Sequence, residues 1–216
     1  MSILLYCVTE NSDLPRLGSG VADLPILSVE HGEIAALFSP GVPAEGWIGP
    51  PFKESARQFH HVLHRVFESR AIIPFRFPTL MPEAQELAAH MRASAPEYLA
   101  QLEKFRTSVQ MDISIARSAS ARAGQGSGAE YLRERQTQSE ELDRIANQLY
   151  THAHPAIRDW RTRPAQHGRK IFALLDRDSV EVFNRSLQRF GVPPDLSIRI
   201  SGPWPVTAFL ELSERG

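Results

Sequence analysis

Short apolar runs and longer stretches of helical periodicity follow one another along the chain. Three apolar segments predict strands, at residues 3–8, 24–29 and 33–39. After a loop rich in proline and glycine, apolar side chains recur every three or four positions over residues 52–67, which predicts a helix that covers the sheet. Residues 71–77 predict a fourth strand, which Pro74 confines to a sheet edge or ends, because proline donates no ladder hydrogen bond.

Two helical segments precede the next strand. The first contains Leu87 and Met91, and the second begins at Pro96, a residue favoured in the first turn of a helix. Apolar and polar residues then alternate over residues 109–115, which predicts a strand in a sheet with one buried face.

The remaining elements repeat this arrangement. A small, polar segment at residues 118–128 is expected to be mobile, and a long helix follows from Ala129, kinked or divided by Pro155 and apolar on one face as far as Trp160. The other expected elements are a strand at residues 169–175, a helix at 178–190 capped by Asp178 and Glu181, and a last strand at 196–200.

Strands and helices are therefore interleaved in two rounds, although no sequence repeat is evident. Each round predicts a small α+β sandwich, in which a mostly antiparallel sheet carries helices on one face. We expect one domain over residues 1–106, with linking helices at its end, and a second over 107–216 that contains the long helix.

Composition narrows the classes of partner. Lys and Arg number 24 against 25 Asp and Glu, so no overall field attracts the chain to nucleic acid or to an anionic membrane. No apolar stretch approaches the roughly 18 residues that span a bilayer. The one cysteine, Cys7, lies in an apolar run, which predicts a buried structural thiol and suits a reducing cytoplasm. We expect a soluble, intracellular protein.

Two groups of residues resemble parts of a metal site or of a phosphate-binding loop, but each lacks residues that such a site needs. His60 and His64 could hold a metal from one helix face, but they lack a third ligand and the Glu that follows the first His in helical zinc hydrolases. Gly124 to Gly128 lie between a strand and a helix, yet no Lys-Ser or Lys-Thr pair of a phosphate-binding loop follows them. A metal- or phosphate-dependent enzyme is thus the alternative function, and we expect no catalytic, metal-binding or cofactor-binding residue.

Four segments, in order along almost the whole chain, resemble the gas vesicle protein F/L family. Residues 4–8 resemble its first strand, and residues 126–132 resemble the start of its long helix. Residues 72–79 are similar to its apolar-Pro-apolar-Arg-Phe-Gly-Thr motif, with Pro78 in place of Gly. Residues 201–209 are similar to its Gly-Pro-Trp-Pro-Pro-Tyr-Ser-Phe motif, with Val206, Thr207 and Ala208 in place of Pro, Tyr and Ser.

This resemblance implies a two-domain α+β protein whose N-terminal domain has ferredoxin-like topology. It also implies a cytoplasmic, gas-vesicle-associated accessory protein without enzymatic activity or cofactor. Its partners would be the small amphipathic shell protein, bound during nucleation or assembly of the gas vesicle, and other accessory proteins.

The two aromatic-rich motifs supply the candidate residues for partner binding or for a domain interface: Arg76, Phe77, Trp204 and Phe209. Arg76 lies between two phenylalanines and could anchor an interface through its guanidinium group. Trp204 lies between two prolines and is either a core residue or an exposed anchor for another chain. The sequence leaves both alternatives open.

Overall fold

The computed structural model describes residues 2–12, 17–42, 50–117, 128–166 and 168–212. These residues form two compact units. The first contains the described residues up to Thr107 together with those from Pro205 onward, and the second is Ser108–Trp204. The sequence-based division near residue 107 differs from this one in leaving the segment after Trp204 with the second domain.

The first unit contains a four-stranded antiparallel sheet in the order β2-β3-β1-β4. Its elements are β1 (Ser2–Glu10), β2 (Leu27–His31), β3 (Ile34–Val42), α1 (Pro50–Phe67), β4 (Ile72–Met81) and α2 (Ala84–Lys104). Between β1 and β2, where a ferredoxin-like fold has its first helix, the described chain forms a short 3-10 turn at Val21–Asp23.

The second unit has the complete ferredoxin-like order of elements. They are β5 (Ser108–Arg117), α3 (Gly128–Ala153), β6 (Ile157–Ala165), β7 (Gly168–Asp176), α4 (Val180–Gln188) and β8 (Leu196–Trp204). Its antiparallel sheet has the order β6-β7-β5-β8. When the strands of each unit are counted from one to four, both sheets have the order 2-3-1-4. The predicted α+β class with antiparallel sheets is confirmed.

The two sheets differ in how they are covered. In the second unit α3 packs on β6 and β7 and also contacts α4, as predicted for helices on one face. In the first unit α1 and α2 lie on opposite faces, because Tyr6 stacks on Phe59 of α1 whereas Leu5 joins the core cluster of Leu87 and Met91 on α2. The prediction of helices on one face is therefore too narrow for this unit. Helix α2, which follows β4 as an additional helix, covers the second face.

Two prolines act differently from the prediction. Pro96 does not begin a second helix but lies inside α2, because buried residues continue at helical spacing past it: Leu87, Met91, Ala95, Tyr98 and Leu102. This packing offsets the roughly 3 kcal/mol that a proline costs inside a helix. At Pro155 the long helix has already ended, because Ala156 lies in a short 3-10 turn and Trp160, also expected on the helix, lies in strand β6. Trp160 contacts Tyr150 of α3 from that strand, at 5.6 Å between ring centroids.

The predicted cap of α4 is also wrong. Asp178 belongs to a short 3-10 turn, the residue before α4 is Ser179, and no side chain caps the helix by a hydrogen bond.

A buried polar network holds the turn that replaces the first helix. The Val21 N–H donates to the Tyr6 hydroxyl at 2.9 Å, and Ser39 Oγ donates to the Pro25 carbonyl at 2.9 Å. Because that bond uses the Ser39 proton, the Tyr6 hydroxyl donates to Ser39 Oγ, also at 2.9 Å. Burial raises the pKa of Tyr6, so the hydroxyl stays neutral and keeps this proton.

Cys7 lies beside Tyr6 in the same strand and is completely buried. Burial raises the pKa of its thiol to about 12, since a thiolate would lose its hydration there. The thiol is therefore protonated at physiological pH and lacks the nucleophilic form.

We predict that Tyr6→Phe lowers the free energy of unfolding by about 1 to 3 kcal/mol, because the buried Val21 N–H loses its acceptor. Urea denaturation measures the change. Tyr150→Phe is the control, since Tyr150 is half-buried and contacts His154 and Trp160 through its ring; it should change stability by less than about 0.5 kcal/mol. Equal effects of the two substitutions would contradict the role of the network.

We also predict that Cys7 in the folded protein does not react with a thiol-specific reagent at pH 8 over an hour, and reacts completely in denaturant. A chromogenic disulfide reagent gives the count of reacted thiols. Rapid reaction of the folded protein would show that β1 opens to solvent.

Candidate functional site

Arg76 and Phe77 lie on β4, which is an edge strand as Pro74 predicted. Successive strand residues point to opposite faces, and the Phe77 ring packs against Phe52 and Phe59 at centroid distances of 5.3 and 5.0 Å. Arg76 is exposed, and Thr79 Oγ1 donates to its backbone carbonyl at 2.5 Å. Phe77 thus fastens α1 to the sheet, whereas the Arg76 guanidinium is accessible from solvent.

The C-terminal motif bends the end of β8. Gly202 has φ +129°, a conformation that other residues rarely adopt, and a Cβ there would lie 2.8 Å from Met111 Sδ and 2.9 Å from the Gln110 carbonyl. The pairing of β5 with β8 is irregular at this point. Glycine is therefore required at position 202, where a side chain would collide with β5.

Trp204 follows this bend and is 42% exposed. Its indole Nε1 donates to Ser201 Oγ at 3.4 Å, a long hydrogen bond that leaves most of the ring accessible. Of the two alternatives for Trp204, the structure places it at the surface and not in a core.

The segment that follows belongs to the core of the first unit. Phe209 is 1% exposed, and Leu210 and Leu212 pack against the cluster formed by the sheet and α2. The Glu211 N–H donates to Gln101 Oε1 at 3.3 Å, and the Glu211 carboxylate lies 3.2 Å from Lys104 Nζ. Of the four candidates, two are exposed, Arg76 and Trp204, and two pack inside the first unit, Phe77 and Phe209.

The histidines of α1 do not converge on a centre. His60 and His64 are exposed, and His64 Nδ1 lies 3.2 Å from Glu68 Oε1. Among the described residues, no group of three or more His, Cys, Asp or Glu side chains could hold a metal ion. Gly124 and Gly126 lie outside the described residues, as does the segment expected to be mobile up to residue 127, and Gly128 begins α3.

No helix within the described ranges is both long and apolar enough to cross a membrane.

Sequence reasoning missed a row of cations on the second sheet. Arg163, Lys170 and Arg199 lie on three different strands, and only the strand register brings them into one line. The segments that hold them are 169–175 and 196–200, which were predicted as strands, and β6, which was not. Without the pairing of these strands the row has no signal in the sequence.

Solved crystal structures share this fold. The chain is similar over nearly its full length to the crystal structure of the gas vesicle protein GvpF from Anabaena sp. PCC7120, with 12% identity, a TM-score of 0.78, and coverage of 98% of this chain and 97% of the other. The crystal structure of GvpF from Microcystis aeruginosa gives 13% identity and a TM-score of 0.76, with coverage of 98% and 99%. No curated protein sequence matches the chain.

At such identities the structural likeness establishes the fold alone. The family is established by a sequence model, described as gas vesicle synthesis protein GvpL/GvpF, which matches residues 2–211. The chain belongs to the gas vesicle synthesis protein GvpL/GvpF family.

Proposed function

We propose that this protein is a cytoplasmic accessory protein that binds the small shell protein of the gas vesicle and assists its nucleation or assembly. The observation that carries the proposal is the family match, which covers residues 2–211. Other gas vesicle accessory proteins are further proposed partners.

The described surface supports binding better than catalysis. Four large apolar side chains are well exposed: Leu27, Val182, Val192 and Trp204. Three of them belong to the second unit. Tryptophan buries the largest area when a partner covers it, and such residues often contribute most of the binding energy of an interface. Trp204 is accordingly the proposed anchor for the shell protein, with Arg76 a second candidate on the first unit.

The proposed contact is hydrophobic. The chain has a net charge of −1, which gives no overall attraction to a partner, and an amphipathic shell protein presents an apolar helix face. Hydrophobic contact of this kind depends little on ionic strength, in contrast to surface ion pairs.

We predict that Trp204→Ala weakens binding of purified shell protein at least tenfold, measured by pull-down or by biolayer interferometry in 0.5 M salt. The melting temperature should stay within about 2 °C, because an exposed side chain contributes little to stability. Leu27→Ala is the matched control, since Leu27 is 46% exposed against 42% for Trp204 and lies in the other unit. It should leave both binding and melting temperature unchanged.

Three outcomes would contradict this proposal. A large loss of stability in Trp204→Ala would show that the residue supports the fold. Loss of wild-type binding between 0.1 and 0.5 M salt would refute the hydrophobic mode. Failure of the wild-type protein to bind shell protein at any salt concentration would remove the proposed function itself.

A further inference from the structure

The face of the second sheet opposite α3 carries a line of polar side chains. Arg163 of β6 pairs with Lys170 of β7, Lys170 pairs with Ser114 of β5, and Ser114 pairs with Arg199 of β8. Paired residues of antiparallel strands point to the same face, and neighbouring strands lie about 4.8 Å apart. The line therefore crosses the whole sheet over roughly 14 Å. We call these four exposed residues the cationic row.

Nearby carboxylates neutralise only part of the cationic row. Asp112 Oδ2 lies 3.4 Å from Lys170 Nζ. Among the described residues, no carboxylate lies within salt-bridge distance of Arg163 or Arg199. Like charges directly opposite each other in a sheet repel, so an anion bound along the row would be stabilised by all three cations.

The arginines on the other face of the same sheet are different. Arg169 donates to both carboxylate oxygens of Asp143 on α3, at 2.6 and 2.9 Å, and Arg117 is bonded to Glu141 of α3. These pairs join the sheet to its covering helix. The arginines of the cationic row have no such partner in the described part of the chain, which leaves their donors available to another molecule.

The ring of Phe172 contacts two cations of the row. It is 8% exposed, and Arg163 and Lys170 lie 5.4 and 5.2 Å from the centre of its ring. These cation–π contacts hold the two long side chains over the sheet and reduce the entropy that they lose on binding a ligand.

We propose that the cationic row binds an acidic segment of a partner polypeptide. Carboxylates are the complementary groups, since arginine binds them through two parallel hydrogen bonds. In an extended segment, alternate residues point to one side at intervals of about 7 Å, so two or three carboxylates would match a row of this width.

The surroundings of the row favour a polypeptide over a nucleic acid. Single-stranded nucleic acids bind through bases stacked on exposed aromatic rings. Phe172 lies under the two cations, and Trp204 is five residues beyond Arg199 along β8. Binding at the row can be measured separately from the proposed hydrophobic contact with the shell protein. That contact is tested in 0.5 M salt, where the charges of the row are screened.

The test uses a fluorescent twelve-residue peptide of alternating Glu and Ser, with the corresponding Gln and Ser peptide as neutral control, and fluorescence anisotropy with the full chain. In 0.05 M salt the wild-type protein should bind the acidic peptide at least tenfold more tightly than the neutral one. A rise to 0.5 M should weaken binding at least tenfold, as the screening length falls to less than roughly 5 Å.

Neutralising the row should abolish this preference. The variant with both Arg163→Gln and Arg199→Gln should bind the acidic peptide at least tenfold more weakly. The variant with Arg133→Gln and Arg189→Gln has the same net charge and changes two exposed residues at α3 and at the end of α4, so it should stay within twofold of wild type. A lysine peptide should bind the variant with Arg163→Glu and Arg199→Glu, which tests the row in a second, charge-reversed form.

Three results would overturn the proposal: no binding of the acidic peptide by wild-type protein in 0.05 M salt, equal weakening in the two Gln variants, or tighter binding of a single-stranded oligonucleotide through the same two arginines. The last would assign the row to nucleic acid. None of these results bears on binding of the shell protein in high salt, so this proposal can fail while the proposed function stands.

Discussion

The first unit depends on one strand that is buried on both faces. Residues 3–8 of β1 are apolar without interruption and almost wholly inaccessible, and β1 is bonded to β3 on one side and β4 on the other. A strand in this position exposes apolar side chains above and below the sheet, so each face needs its own cover. Helix α1 covers one face, and α2 with Leu210 and Leu212 covers the other. Because Tyr6 is buried with this strand, its hydroxyl must form hydrogen bonds inside the core. Its bond with the Val21 N–H fixes the turn at that residue.

The second unit uses the same strand order with a different pattern of side chains. Its central strand β5 is apolar at alternate positions, with Val109, Met111, Ile113 and Ile115 buried. On β5 the face opposite α3 can therefore carry polar side chains such as Ser114, whereas Phe172 and Leu174 of β7 are buried on that same face. The same topology thus gives a unit closed on both sides of its sheet and a unit with a charged face. The difference lies in the side-chain period of β1 and β5 and in the additional helix α2, not in the order of the strands, and β7 of the second sheet is apolar and buried without interruption over residues 171–175.

This difference explains which features the sequence could predict. A continuous apolar run and a strict alternation are local signals, and both gave the correct strands, as did the helical spacing of residues 52–67. Pro96 was misjudged because local propensity disfavours proline in a helix, whereas the tertiary packing of α2 outweighs that cost. Strand β6 was missed because Ala156 and Trp160 continue the spacing of α3 by coincidence, and Trp160 reaches the same core from a strand.

Among the candidate site residues, residue type could not separate the exposed Trp204 from the buried Phe209, because aromatic residues suit both environments.

The net charge of the chain is a poor guide to the charge of its surface. A net charge of −1 describes the potential far from the protein, where opposite charges cancel. A bound group responds instead to charges within a screening length, about 8 Å at physiological ionic strength. Within that distance the helix-covered side of the second sheet pairs its arginines with acids of α3, whereas the opposite face retains Arg163 and Arg199 without such acids in the described residues. A nearly neutral chain can therefore present a local cationic surface, since folding assigns its acids and bases unequally to the two faces of one sheet.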